Sequence, residues 1–250
     1  MATKKRSNNP MMNLKVLILD SDFYSRQAIN SYLAWDRRTR VVHLAETLDS
    51  VMAYVNAVDR SQWPDVVLLD SMSADTPDEL AQLILLLENT IPKVMTLVLE
   101  RTLNLDTVRA VEKARANGYL LRNELRIRLA SAICWAQEHD FVVTRGVKEA
   151  LKDEFDGRLF RAAVIPEQRE YPDLTPRVQE ALRLCVVEGM SAELAADEMG
   201  ISAHTVRSYV KEGYRILETY DEMAYPPDLS PQEKAFMRIT ALEKDTPVPG

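Results

Sequence analysis

Between Leu174 and Glu218 the chain reads LTPRVQEALRLCVVEGMSAELAADEMGISAHTVRSYVKEGYRILE, where start signals, stop signals and apolar period all agree. Thr175 followed by Pro176 is a helix start, an N-cap hydroxyl ahead of a residue whose missing N–H costs nothing there. Ala181, Leu182, Leu184, Cys185 and Val186 continue it as an apolar stripe, and Gly189 ends it by supplying a left-handed backbone position. Ser191 caps a second, short helix carrying Leu194, Ala195 and Met199. Gly200-Ile201-Ser202 makes a tight turn, and Ser202 caps a third helix running to about Glu218. Ala195 and Ala196 are small enough to let the second and third helices approach. Helix, Gly turn and capped helix is the helix-turn-helix plan, whose last helix enters the DNA major groove.

The run LTPR…ALRL…EGMS…MGIS-AHTVRSYV resembles the DNA-binding domain of LuxR/NarL-type response regulators. CVVEGMSAELAADEMGIS is also similar to region four of bacterial sigma factors. One extra residue between Leu184 and Gly189 departs from the first family and fits the sigma-like length better. The resemblance implies that Thr205, Arg207, Ser208 and Lys211 face the groove, with Arg215 reaching a phosphate; His204, near the start of that helix, is a candidate phosphate contact.

Charge tempers that expectation. The chain sums to −7, and 174–218 sets five basic residues (Arg177, Arg183, Arg207, Lys211, Arg215) against seven acids. A nonspecific DNA binder is expected to be basic. Position matters more than the sum, because Arg207, Lys211 and Arg215 step by four and share one helix face. A monomer should therefore bind DNA modestly, and a homodimer reading two half-sites is expected.

Ahead of this region, strands and helices alternate. Val16–Leu19 is an apolar run ending in Asp20, and Pro64-Asp65-Val66-Val67-Leu68-Leu69-Asp70 is another ending in an acid. Further strands are expected at Val41–Leu44, Met95–Leu99 and Gly118–Leu121. Helices fall between them, one opened by Thr76-Pro77-Asp78-Glu79, and a last one spans Glu124 to Glu138. Five such alternations predict a five-stranded parallel doubly wound α/β domain followed by a small all-α domain. In parallel sheets the crevice lies at the carboxyl ends of the strands, where Asp20, Asp70, Glu100 and Arg122 fall.

This half resembles a response-regulator receiver domain, a flavodoxin-like fold, through VLILDSD, PDVVLLD and GYLLR. The resemblance implies a phosphoacceptor-like pocket of Asp20, Asp70, Glu100, Tyr119 and Arg122, with Asp70 as acceptor and Tyr119 at the aromatic switch position. Asp20 and Asp70 would be the metal ligands and Mg²⁺ the cation; no other cofactor is called for. Departures cluster in this pocket. Ser21 replaces an acid, Glu100 a Thr or Ser, Arg122 a Lys, and Ser73-Ala74-Asp75 the usual turn. A phosphoryl group on Asp70 would meet the Glu100 charge, and unit charges 4 Å apart repel by about 4 kcal/mol at an effective dielectric near 20. Arg122 can instead pair Glu100, Asp70 or both. Control without stable phosphorylation is the expectation.

The remaining features are plain. Cys134 and Cys185 suit buried inert thiols, not a disulfide framework or zinc site. His43, His139 and His204 are scattered without metal-ligand spacing. No Gly-rich phosphate loop or nucleophile elbow occurs, so no enzyme is expected. MATKKRSNNP is not a signal peptide, no run approaches membrane-spanning length, and a cytoplasmic protein is expected. The expected divisions are a disordered 1–13, a receiver-like 14–139, a linker 140–172, a helix-turn-helix 173–220 and a tail 221–250. In the tail, Ser230-Pro231-Gln232-Glu233 opens a helix by a capping box. That helix could cover the DNA-binding domain, join a dimer or bind a partner. Leu129, Ile133 and Trp135 offer another dimer surface. The reading is an atypical response regulator acting as a DNA-binding transcriptional regulator, with a histidine kinase among the partners the resemblance implies. The alternative is an interaction module whose sigma-like domain binds RNA polymerase or another regulator.

Overall fold

The computed structural model describes residues 13–153, 157–220, 225 and 227–243. Expectations for 1–12, for 154–156 of the linker and for 221–224, 226 and 244–250 of the tail lie outside the described residues. The chain divides after Pro166 into two compact units.

The first unit is a parallel sheet ordered β2-β1-β3-β4-β5-β6-β7. The first five strands are β1 (Leu14–Leu19), β2 (Thr39–Ala45), β3 (Val66–Asp70), β4 (Met95–Glu100) and β5 (Gly118–Leu121). Every residue of β3 and β4 is buried, as expected where helices cover both faces of a parallel sheet. The covering helices are α1 (Phe23–Ala34), α2 (Leu48–Ala57), α3 (Pro77–Thr90) and α4 (Leu105–Lys113). Thr76 and Glu79 close a full capping box at the start of α3. The order 2-1-3-4-5 reverses at β1/β3, so the crevice of the fold opens beyond Asp20 and Asp70.

Two expectations are corrected here. The sheet has seven strands, not five, because β6 (Val142–Val143) and β7 (Ala163–Val164) continue it in parallel. These strands fall within the segment expected to be a linker over 140–172, and Phe141, Val142 and Val143 are core residues. Between them lie α7 (Arg145–Ala150) and α8 (Gly157–Phe160). Without β6, β5 would be an edge, and Gly118 shows how tightly β6 packs. A Cβ at Gly118 would sit 2.8 Å from the Val142 carbonyl oxygen.

The helix expected over 124–138 is also broken. It divides into α5 (Arg122–Leu125), a 3₁₀ turn (Arg126–Arg128) and α6 (Leu129–Ala136). Arg126 takes φ 49°, and side chains reach the carbonyls at the break: Arg126 Nε donates to Asn123 O, 3.3 Å, and Arg128 Nη2 to Glu124 O. Leu129 and Ile133, proposed above as dimer contacts, are buried in their own unit. Trp135 is half-buried and stacks on His139, ring centroids 3.7 Å apart.

The second unit carries the helix-turn-helix. Thr175, Ser191 and Ser202 each accept a backbone N–H at the start of α9 (Pro176–Leu182), α10 (Ala192–Met199) and α11 (Ala203–Thr219). Gly189 turns at φ 68°, the left-handed position read from the sequence, and Gly200, read as part of a tight turn, ends α10 at φ 65°. Ala181, Leu184, Ala195, Ala196, Met199 and Val206 form the core.

The extra residue after Leu184 is absorbed as a π-helix over Arg183–Val187, in which the Glu188 N–H bonds to Arg183 O, 2.9 Å, five residues back. A widened turn leaves a carbonyl to be satisfied elsewhere. Cys185 O accepts from the side chain of Gln232, 3.0 Å, on the tail helix α12 (Pro231–Ile239). The structure thus chooses among the tail's three readings: α12 covers its own unit. Ala235, Phe236, Met237 and Arg238 are four successive buried positions, so neighbours surround α12 instead of touching one stripe. Tyr171 Oη donates to Arg238 O, 2.5 Å, and Gln168 Nε2 to Ile239 O, 2.7 Å.

Candidate functional site

Two places in the chain gather chemistry. In the first unit, β1 and β3 deliver Asp20 and Asp70 to the crevice almost fully buried, at 1% and 2% exposure. Arg122, the first residue of α5 directly after β5, lies between them. Its Nη2 stands 3.0 Å from Asp20 Oδ2 and 2.7 Å from Asp70 Oδ1. Ser25 in the first turn of α1 accepts from Arg122 and donates to Asp20 Oδ2, 2.7 Å. Arg26 donates to the Asp20 carbonyl. Burial pushes the Asp70 carboxyl above its usual range; Arg122 pulls it down and Asp20 pushes it up.

Glu100 takes a different role from the one offered by the sequence. Its Oε1 accepts from the backbone N–H of Arg101, 2.8 Å, and of Thr102, 3.4 Å, while the Tyr119 hydroxyl reaches Oε2 at 3.4 Å. Arg122 is paired to Asp20 and Asp70, not to Glu100. The Tyr119 ring is wholly buried, and its oxygen accepts the Asn104 N–H at the start of α4, 3.2 Å. Burial raises the Tyr119 phenol well above its usual value, so it stays a neutral donor. Arg101, which the sequence reading passed over, pairs with Asp22 at the rim, 3.1 Å. Ser25 and Arg26 were passed over as well. A capped helix starting two residues after an acid-terminated strand would have flagged them, because its first turn borders the crevice.

The arrangement does not fit Mg²⁺. A cation bridging Asp20 and Asp70 would compete with the guanidinium already within ion-pair distance of both. Ser21 is exposed and adds no carboxylate. Among the described residues no group of three or more His, Cys, Asp or Glu could hold a metal.

In the second unit, α11 buries Val206, Gly213, Ile216 and Leu217 and exposes His204, Arg207, Ser208, Lys211 and Arg215. Thr205 is half-buried, its hydroxyl 2.8 Å from the Ser202 cap hydroxyl. Arg207 pairs across the turn with Glu193 on α10. Among the described residues, Lys211 and Arg215 form no ion pair. Both cysteines are half-buried as residues, and burial raises the pKa of their thiols, Cys134 to about 11. No helix among the described residues is long and apolar enough to cross a membrane.

Residues 172–217 match the family model for sigma-70, region 4. No curated protein matches the chain. Among solved structures, the RcsB response regulator of Salmonella typhimurium is similar at 22% identity and a TM-score of 0.49, over 84% of this chain and 94% of that one. The isolated REC domain of RcsB from Salmonella enterica serovar Typhimurium is 20% identical, with a TM-score of 0.47, over 56% and 99%. A response regulator from Thermotoga maritima is 19% identical, with a TM-score of 0.43, over 50% and 98%.

The chain therefore joins a doubly wound α/β unit of receiver topology to a helix-turn-helix unit of the sigma-70 region 4 type.

Proposed function

We propose that the protein is a DNA-binding transcriptional regulator whose receiver-like unit works without stable phosphorylation. The observation that supports DNA binding is α11: a capped helix with its apolar side buried and His204, Arg207, Ser208, Lys211 and Arg215 on the open side. Lys211 and Arg215 suit phosphates and Arg207 suits a base edge. Few free cations mean that tight binding needs a second half-site, so the working unit is a dimer. A gel shift tests this. Binding must weaken steeply with salt, and Lys211→Ala with Arg215→Ala must weaken it for every duplex; binding indifferent to both would overturn the reading.

The support for phosphate-free control is Arg122, which already joins the two buried carboxylates that phosphorylation chemistry would use. Incubation with a small phosphodonor and Mg²⁺, followed by intact-mass measurement, should find no stoichiometric adduct. Asp70→Ala should leave DNA binding intact, which makes a partner protein or the protein's own abundance the controlling variable. A second reading, binding to RNA polymerase through the sigma-like unit, is favoured by that unit's match to sigma-70 region 4 and its excess of acid. Salt-insensitive DNA binding together with polymerase capture would establish it.

A further inference from the structure

We infer that Glu193 is a positioning residue that makes Arg207 read bases in preference to phosphates; the inference rests on the DNA-binding reading. Glu193 lies in the first turn of α10 and its carboxylate pairs with Arg207 Nη2 from across the helix-turn-helix. Both side chains are open to solvent, at 64% and 60% exposure. An ion pair so exposed adds little to stability; the first-turn position of Glu193 suits a negative charge at the start of α10 but does not call for Arg207 beside it.

Recognition gives a reason for the pair. A guanidinium has five N–H donors in a rigid fork and needs only two for the O6 and N7 of a guanine. Glu193 engages Nη2, and among the described residues no other group takes the remaining donors of the fork. An arginine free of such a partner is drawn to any phosphate within reach, a contact that carries no sequence information. A carboxylate beside the guanidinium cancels that attraction, because the phosphate must approach a neutral pair instead of a cation. A guanine edge is uncharged and suffers no such loss. Glu193 thereby lowers affinity for all duplexes and raises the ratio between right and wrong ones. Lys211 and Arg215, one and two turns further along α11 and without ion pairs among the described residues, keep the phosphate-anchoring role.

The experiment uses the full chain and a duplex selected by it from a random pool. Affinity for the selected duplex and for a scrambled one is measured by fluorescence anisotropy in a cycle of wild type, Glu193→Gln, Arg207→Ala and the double variant. Glu193→Gln should tighten binding to the scrambled duplex and cut the selected-to-scrambled ratio about tenfold, within the range of one bidentate base contact. Arg207→Ala should lose a similar ratio, and the double variant should lose no more than Arg207→Ala alone. Melting temperatures should be unchanged, which separates positioning from a structural role. An unchanged ratio in Glu193→Gln, or losses that add in the double variant, would overturn the inference and leave DNA binding standing. Failure of wild type to bind any duplex would overturn both.

Discussion

Arg122 and Arg207 are both arginines held by carboxylates, and they teach opposite lessons. Around Arg122 the partners Asp20 and Asp70 are almost fully buried; around Arg207 the partner Glu193 is open to solvent. In the crevice the two carboxylates have lost their water, so removing their cation strands both. On α11 water replaces whatever the pair loses. The first arrangement holds the strand ends of β1 and β3 to the start of α5, and the second leaves an arginine free to exchange partners.

The sharpest break of this comparison is Arg122→Met. Two buried carboxylates left without their cation should cost about 3–5 kcal/mol in urea unfolding of the first unit. A loss near zero would mean that water reaches the crevice and that the two arginines are alike. Next comes Asp70→Asn. The folded carboxyl titrates above its ordinary value, chiefly from burial, so its proton favours the folded state. Wild-type stability should then fall as pH rises from the unfolded carboxylate value through the raised folded one, and stay lowered at neutral pH. Asp70→Asn should melt above wild type at pH 7, with the difference closing at pH 3. A lower melting point at pH 7 would show that pairing to Arg122 outweighs burial.

On the exposed side the effects should be in binding and not in folding. Lys211→Ala should reduce the salt slope of DNA binding by about one unit without changing sequence preference. Smallest of all is the thermal effect of Arg207→Met, which should leave the melting temperature where it was. A clear drop would place Arg207 with Arg122 as a structural cation.

What the sequence made legible follows the same division between local and nonlocal causes. The caps at Thr175, Ser191, Ser202 and Ser230 were readable because each acts on residues within one turn. Strands β1 and β3 were readable from uninterrupted apolar runs ending in acids. By contrast, β6 and β7 have two residues each, too few for any period, and exist because β5 offers an open edge. The π-turn was visible as one surplus residue, but not its relief by Gln232 from 47 positions away. Arg122 was placed in the crevice correctly, whereas its partners were only half foreseen. Asp70 was named, Asp20 pairs in place of Glu100, and the Arg101 pair with Asp22 joins elements 79 positions apart, which no spacing encodes.

One last consequence follows from the meeting of Gln168 and Leu242 in an antiparallel bridge, flanked by Arg169 N–H to Ala241 O at 2.8 Å and Glu243 N–H to Glu167 O at 2.7 Å. The last described residues of the second unit lie beside its first ones. Such a unit is a cassette: its ends can be joined by a short bridge and new termini opened in a surface loop, or the whole piece can be spliced into the loop of a host protein. The same closure sets a minimum. A piece cut at Tyr220 to spare only the three helices of the helix-turn-helix would lose Phe236 and Met237, which are fully buried, and should misbehave as an open fragment.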